Sequence, residues 1–521
     1  MNIKRVTFGN EAIDKILKGI NTLSDAVSST LGAEGKTVII EDSNGNPIIT
    51  KDGVTVAKSI NLEDPISNIG AILIRQASEK TVDSVGDGTT TSTLLAKSIV
   101  NNAVGRIREG NSPVKIKREI DLCLGEVVDL LKKSSTPVKK TDLENIATIS
   151  VNNDYELGKI IADAFKIAGE NGMVLVENSE NEKTYIDSNE GISLGRGFES
   201  NIFINEESKQ RCVFDNPLLL ISDIKIERIE DIIPFVELSI KDKRPLLIYS
   251  DVDEKILSAL AMNKVKNGFK ICVVKPALFG DRKKNMLKDI AISTGGNVIS
   301  DDTGDNISIA DESFLGSADK VTVTSDDTII ITSKKFKEDV CNRIKSLKEQ
   351  YKETKNAVEK RFLKERISNI SGGISIIKVG ALSDIELKEK SDRVDDAVHA
   401  VKASIEEGYV SGGGVELLDI SNKLIKRKGK DINVGEKILL ESIRLPFIKI
   451  LDNAGVEFKK YLTDKKKYGY GINVKTLNSV YMKDDGIIDP VKVTRKALEN
   501  AVSVSGTILL TDTVVSIARA K

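Results

Sequence analysis

The run Gly86-Asp87-Gly88-Thr89-Thr90-Thr91 carries the clearest chemistry in this chain. Glycines let a backbone approach a ligand closely. The residues from Thr89 to Val104 read as a helix, and a helix start offers free N–H groups and about half a positive charge. Three hydroxyls stand in that first turn, ready for phosphate oxygens. Asp87 would repel a bare phosphate but suits a magnesium ion bridging to one. A well-capped helix explains the run less well, because one cap needs only one threonine. On its own residues Asp52, within Lys51-Asp52-Gly53, is an ordinary turn aspartate. Asp395-Asp396 reads as a solvated helix face, and Gly412-Gly413-Gly414 before Val415 as a loop or helix entry. Gly35-Lys36-Thr37 imitates the end of a phosphate loop. However, Thr30 stands where that pattern needs glycine, and a strand is expected next instead of a helix.

Several other chemistries lack their residues. His399 is the one histidine, so a His-paired metal site is excluded and a Ser-His-Asp or Cys-His device is disfavoured. The four cysteines, Cys123, Cys212, Cys272 and Cys341, are scattered and form no CxxC pair, which excludes a zinc ribbon and suits a reducing compartment. Lysine plus arginine number 77 and aspartate plus glutamate 78, so no strong field favours nucleic acid or an anionic membrane. No apolar run approaches the roughly 18 residues of a membrane span. The expectation is a soluble cytosolic protein whose catalysis rests on carboxylates, hydroxyls, lysines and backbone amides.

A chain of 521 residues suggests about three domains. Apolar residues at three- and four-residue spacing predict a helix over 11–31, followed by short strands at Val38-Ile39-Ile40 and Ile48-Ile49. Helices are expected over 69–82, 89–104 and 114–131, and Ser134-Ser135-Thr136-Pro137 reads as a linker. The middle changes character. Met173–Val176, Leu218–Ile221, Leu246–Tyr249 and Ile271–Val274 are short apolar runs with helical stretches between some of them, the pattern of a buried, largely parallel sheet covered by helices. Gly191 and Gly372-Gly373 flank this block and suit hinges. Residues 338–370 predict a long surface helix or helical hairpin, and 394–407 another helix. The basic runs Lys426-Arg427-Lys428 and Lys465-Lys466-Lys467 are expected in solvated loops.

Taken together the motifs resemble group I chaperonins, the GroEL-type protein-folding ATPases of about 60 kDa. Leu31–Lys36, Ile49–Ala57, Gly86–Thr91, Phe279–Lys283, Arg393–Ala397, Ser411–Val415 and Gly486–Arg495 occur in that family's order across essentially the whole chain. The resemblance implies a multi-domain α and α/β protein. A mostly helical equatorial ATPase domain would use 1–133 and 408–521. A small α/β intermediate domain would use 134–190 and 374–407. An α/β apical domain, 191–373, would hold a buried sheet flanked by helices. The implied activity is ATP-dependent protein folding, with ATP and magnesium as cofactors and potassium as a further cation the family admits. Implied partners are copies of the chain in seven-membered rings, unfolded client proteins and a cochaperonin lid, with no nucleic acid and no membrane.

Site roles follow from the same resemblance. Thr30, Leu31, Gly32, Ala33 and Lys51 would contact the nucleotide. Asp87 would bind magnesium, and Gly88, Thr89, Thr90 and Thr91 the phosphates. Ser150 and Gly413 would add contacts, with Asn473 and Asp489 around the base and ribose. Asp396 would activate the attacking water once the intermediate domain closes, with Asp52 assisting. Clients would meet Phe198, Ile202, Phe203, Ile233, Val236, Leu257, Ala261 and Met262, all apolar. Some positions depart from the family. Ala33 replaces a usual proline, Glu199 a usual apolar residue, and Ile448 an arginine used between stacked rings, while Glu457 is kept; the chain also ends at Lys521 without the Gly-Gly-Met tail common in bacterial members. Weakened ring–ring contact, and hence a single ring, is the resulting expectation. An ATP-hydrolysing metabolic enzyme, such as a small-molecule kinase, is the alternative, and it would require a polar substrate pocket.

Overall fold

The structure is a computed structural model that describes residues 4–41, 45, 47–139, 142–151, 154–169, 172–179, 181–276, 278–457 and 467–517. Lys465 and Lys466 of the second basic run lie outside the described residues, as does the C-terminal Lys521. The chain divides into two compact units, one made of Met1–Ala162 with Ala381–Lys521 and the other of Asp163–Gly380.

The first unit is built on helices. Gly9–Ser28, Pro65–Val85, Thr89–Arg108, Pro113–Lys133 and Val491–Leu509 surround one core. Ala12, Ile16, Ile20, Leu23 and Val27 line the buried face of the first of these helices, as the three- and four-residue spacing requires. Asp64 and Ser112 cap the helices that follow them, each with proline in the first turn. The two chain ends meet, since Lys4–Phe8 pairs antiparallel with Thr513–Ile517. The strand Tyr409–Ser411 likewise pairs with Ile488–Pro490. The helix Asp384–Glu407 packs on Leu143–Ser150 and on Val491–Leu509.

One element here escaped the sequence reading. Lys51-Asp52-Gly53 leads not into a plain turn but into the short helix Gly53–Ser59. Val54, Thr55 and Val56 are β-branched and disfavour helix locally. The Asp52 carboxylate offsets this by accepting from Val54 N at 3.1 Å and Thr55 N at 2.8 Å, and the buried Val56 and Ala57 anchor the helix to the core.

The second unit holds two sheets. Val298–Ile299, Leu218–Ser222, Leu246–Tyr249 and Ile271–Val274 lie parallel in that order, with Gly316–Ser317 antiparallel beside Leu218–Ser222. Their inward and outward residues are alike buried, which is why the runs read as continuously apolar. Met173–Asn178 does not join them. It pairs in parallel with Gly373–Val379 at the edge of a six-stranded mixed sheet that also contains Tyr185–Leu194. Gly191 is not at a break in the chain either. It lies within that continuous strand, pairs with Ile331, and faces the Ile330 carbonyl too closely for any side chain.

The charged stretch 338–370 is a helical hairpin, Lys337–Glu353 and Ala357–Ser371. An ion cluster fixes it. Arg366 donates two hydrogen bonds to the Asp289 carboxylate, at 2.6 and 2.8 Å, and Arg343 donates one at 2.8 Å. Asp289 and Arg366 are both about 5% exposed, so this is a buried ion pair satisfied by good geometry.

Candidate nucleotide-binding site

The helix Thr89–Arg108 starts at Gly88, which adopts φ +86°, and no side chain caps it. None of the three threonines serves as the cap, so the N–H groups of the first turn are left for a ligand. Thr89 is buried, while Thr90 and Thr91 are partly open. Gly53 backs directly onto this turn: a Cβ there would collide with Thr90 Oγ1 and stand 3.1 Å from Thr89 Oγ1. On the other side a Cβ at Gly88 would stand 2.8 Å from Val493 Cγ1. The helix start is thus gripped between the short helix Gly53–Ser59 and the helix Val491–Leu509.

Four aspartates gather around it. Asp87 accepts from its neighbour Gly88 N at 2.5 Å. Burial, with the Asp52 charge adding to it, pushes the Asp87 carboxyl up, while the Gly88 N–H and His399 act in the opposite direction. Asp396 is held well above the usual carboxylate range by the enclosing protein and then by the charges of Asp87, Asp52, Asp395 and Asp392. Its side chain is nevertheless exposed to water and not part of the core. Asp489 is pushed up to about 6, chiefly by burial and then by Asp87, against the Gly414 and Gly413 N–H groups.

The helix that carries Asp396 packs within the first unit, close enough to Asp87 and Asp52 to feel their charge. Asp489 owes its position to strand pairing with Val410, which sets it before the glycine turn. There Gly414 N donates to Asp489 Oδ2 at 3.4 Å, at the start of the helix Val415–Lys428, which also lacks a side-chain cap.

The remaining residues fall into place unevenly. The loop containing Thr30, Leu31, Gly32 and Ala33 follows the helix Gly9–Ser28, whose Val27 touches the Gly53 position. Thr30 is buried and donates to the Val27 carbonyl at 2.9 Å, while Gly32 and Ala33 are exposed. Asn453, which the sequence reading missed, donates to the carbonyls of Ser28 at 3.0 Å and Leu31 at 2.9 Å and so pins this loop from the far end of the chain. Gly413 adopts φ +64° in the glycine turn. Lys51 is exposed, and Ser150 donates to its own helix at Ile146 O, 2.9 Å away.

Asn473 already has protein partners. Its amide donates to Asp485 at 2.6 Å, and its oxygen accepts from Lys475 N and Thr476 N, closing the turn of the hairpin Tyr470–Asn473 and Asn478–Tyr481. Ile448 is partly buried and packs against the cluster of Val415, Leu418, Phe447, Leu451, Ile472 and Met482.

Among the described residues no three histidine, cysteine, aspartate or glutamate side chains converge into a metal-binding set. The mutual repulsion of Asp87, Asp52 and Asp396 is an excess of negative charge that a cation would relieve.

A sequence model of the TCP-1/cpn60 chaperonin family matches residues 23–233 and 230–519. The chain belongs to that family. Its fold is also that of solved chaperonins: the chaperonin gp146 of the Pseudomonas aeruginosa bacteriophage EL, crystallised in the presence of ATP-BeFx, superposes with a TM-score of 0.70 at 20% identity over 99% of each chain. A second crystal form of gp146 gives 0.63, also at 20% identity and 99% coverage of both chains.

The second unit of this chaperonin contains the expected client residues, and they separate by exposure. Ile202, Ile233 and Met262 are 48%, 41% and 56% exposed. Phe198, Val236 and Leu257 are half-buried against the core. Phe203 is a core residue at 0% and presents nothing to a partner, while Ala261, only 3% exposed, contributes its methyl to the floor of the groove that Leu257 and Met262 line. The helical spacing that groups Ala261 with Leu257 is right, but a helix also needs an inward face, and Ala261 is part of it. Ile202, Leu257 and Met262 line a groove of about 390 Å³ that the exposed Val265 extends. Glu199, at one margin of this groove, pairs with Arg196 at 3.2 Å. Among the described residues no helix is long and apolar enough to cross a membrane.

Proposed function

We propose that this chaperonin is a magnesium-dependent ATPase that captures non-native polypeptides on apolar surfaces of its second unit and releases them into a ring cavity. The observation that carries the reading is the crowding of Asp52, Asp87, Asp396 and Asp489 about a helix start that no side chain caps.

The first-turn amides and the hydroxyls of Thr89, Thr90 and Thr91 would hold phosphate oxygens, with Gly88 leaving room for them. Asp87 is the residue to hold magnesium, which would neutralise charge developing on the phosphates. Thr30, Leu31, Gly32, Ala33, Lys51, Ser150, Gly413, Asn473 and Asp489 would complete the nucleotide contacts. Asp396, a water-exposed carboxyl of raised proton affinity, would orient a water and take its proton. Asp52 would assist it by charge. Phosphoryl transfer to water asks mainly for positioning and charge neutralisation, so these groups suffice.

Ile202, Ile233 and Met262, with Phe198, Val236 and Leu257 beside them, would bind clients. Each large side chain buried is worth roughly 1.5–3 kcal/mol, and repetition around a ring multiplies the hold without sequence specificity. The groove is mostly apolar, which favours this reading over a kinase with a polar substrate. The division into equatorial, intermediate and apical domains, a seven-membered ring, a cochaperonin lid, cytosolic residence and potassium as a further cation belong to the same proposal. With Ile448 at the ring–ring position, a single ring is the proposed state. The test is particle size together with ATP turnover, with and without magnesium, and with suppression of aggregation of a chemically unfolded protein. A large ring with slow magnesium-dependent turnover and capture supports the proposal. A small particle with fast turnover and no capture refutes it.

A further inference from the structure

We propose that His399 is a positioning residue for hydrolysis: its ring, seated on Gly86, sets the register of the helix that carries Asp396. The inference rests on the hydrolysis reading above. A Cβ at Gly86 would collide with His399 Cγ and stand 2.5 Å from both Cδ2 and Nδ1, so the imidazole occupies the space a side chain would need. Gly86 is a fixed corner. It adopts φ +72° at the end of the helix Pro65–Val85, its N–H donates to Val82 O at 2.7 Å, and Asp87 follows immediately.

The contact is one of a row. Residues three and four apart share a helix face, so Asp396, His399 and Ala403 stand above one another on Asp384–Glu407. His399 and Ala403 meet successive parts of the same turn, and Asp396 lies within charge range of it. Asp396 feels Asp87 and Asp52. His399 covers Gly86. Ala403 joins Val85 and Val493 in one apolar cluster, and Val493 is the side chain against Gly88. A flat ring over a glycine fits in one register only, because sliding the helix by a residue would bring a different side chain onto the corner. The helix stays packed on its neighbours without the ring, but it loses its stop against the Gly86 corner, next to Asp87, and displacement of a reacting group by about 1 Å can cost as much as a hundredfold in rate.

The experiment measures kcat and KM for magnesium-ATP in the wild-type assembly and in H399A, H399F, H399Q, D396A and the D396A/H399A double variant, with thermal unfolding of each. The expectation for H399A is a kcat lower by roughly ten- to a hundredfold with little change in KM or unfolding temperature. H399F, whose flat ring fills the same space, recovers most of the loss, and H399Q does not. In the D396A background H399A adds nothing, because it acts only through Asp396. An H399A enzyme with wild-type kcat, a loss seated in KM, or losses that multiply in the double variant overturns the inference alone. Should H399A fail to assemble, H399F and H399Q decide the matter, and equal rates for those two overturn it. A wild-type protein without turnover overturns the hydrolysis reading and this inference with it.

Discussion

Gly53 and Thr90 sit so close that the first residue of one helix has no room for a side chain beside the second residue of another. The start of the helix Gly53–Ser59 thereby fixes the direction of a hydroxyl at the proposed phosphate site. Substituting Gly53→Ala would force that hydroxyl to rotate or withdraw. A threonine rotamer changes at little cost to the fold, so the loss should fall on binding. We expect weaker ATP binding, by roughly tenfold if one charge-assisted hydrogen bond is lost, with unfolding shifted little. Titration with a fluorescent ATP analogue checks this, and unchanged affinity would contradict it.

Asp489 predicts a pH effect of definite sign. Its folded pKa, about 6, exceeds its ordinary value of 3.8. Between those values the folded protein retains a proton that the unfolded chain has released, so stability falls as pH rises through this window. Asp489→Asn removes that loss and keeps an oxygen to accept from Gly414. The variant should gain on wild type as pH rises from about 4 to about 7, by at most about 3 kcal/mol. Unfolding curves across that range test it, and a difference independent of pH would refute it.

The buried ion pair of the second unit carries a stability prediction. Asp289→Ala would leave Arg366 enclosed without its counter-charge. The cost should be about 3–5 kcal/mol, read in denaturant unfolding. Because the pair is shielded from solvent, added salt should change this cost little. A loss below about 1 kcal/mol would mean that the arginines find other partners.

For client capture the exposed residues should matter and the buried ones should not report on binding. Ile202→Ser and Met262→Ser together should weaken suppression of aggregation severalfold without unfolding the unit, because both side chains are about half exposed. Phe203→Ser should instead destabilise it by about 3 kcal/mol or more, as a core residue does. Equal capture by the double variant would remove the groove from the account.

The sequence announced the long helices, the four apolar strands of the middle block and the glycine–threonine turn, because each is written in local spacing. It did not announce the helix Gly53–Ser59, whose β-branched residues favour strand and whose cap and burial decide otherwise. Nor could periodicity assign Met173–Asn178 to the second sheet, since strand partners are chosen by contacts with residues about two hundred positions away. Asn453 and His399 were invisible for the same reason: one binds carbonyls more than four hundred residues earlier, and the other covers a glycine in a different helix–turn element. Asp87 and the threonines were legible as chemistry. Their encirclement by Asp52, Asp396 and Asp489 was implied only by the family resemblance and not by local spacing, because it depends on strands and helices from both ends of the chain meeting. Phe203 and Ala261 show the converse, since apolar type alone does not tell an outward face from an inward one.

The most direct measurement is a single-turnover assay of ATP hydrolysis in Asp396→Ala, with nucleotide affinity measured in parallel. If Asp396 accepts the proton of the attacking water, hydrolysis should slow by roughly 10²–10⁴-fold while magnesium-ATP still binds about as well as to wild type. Hydrolysis at the wild-type rate, or a loss confined to binding, would contradict the account.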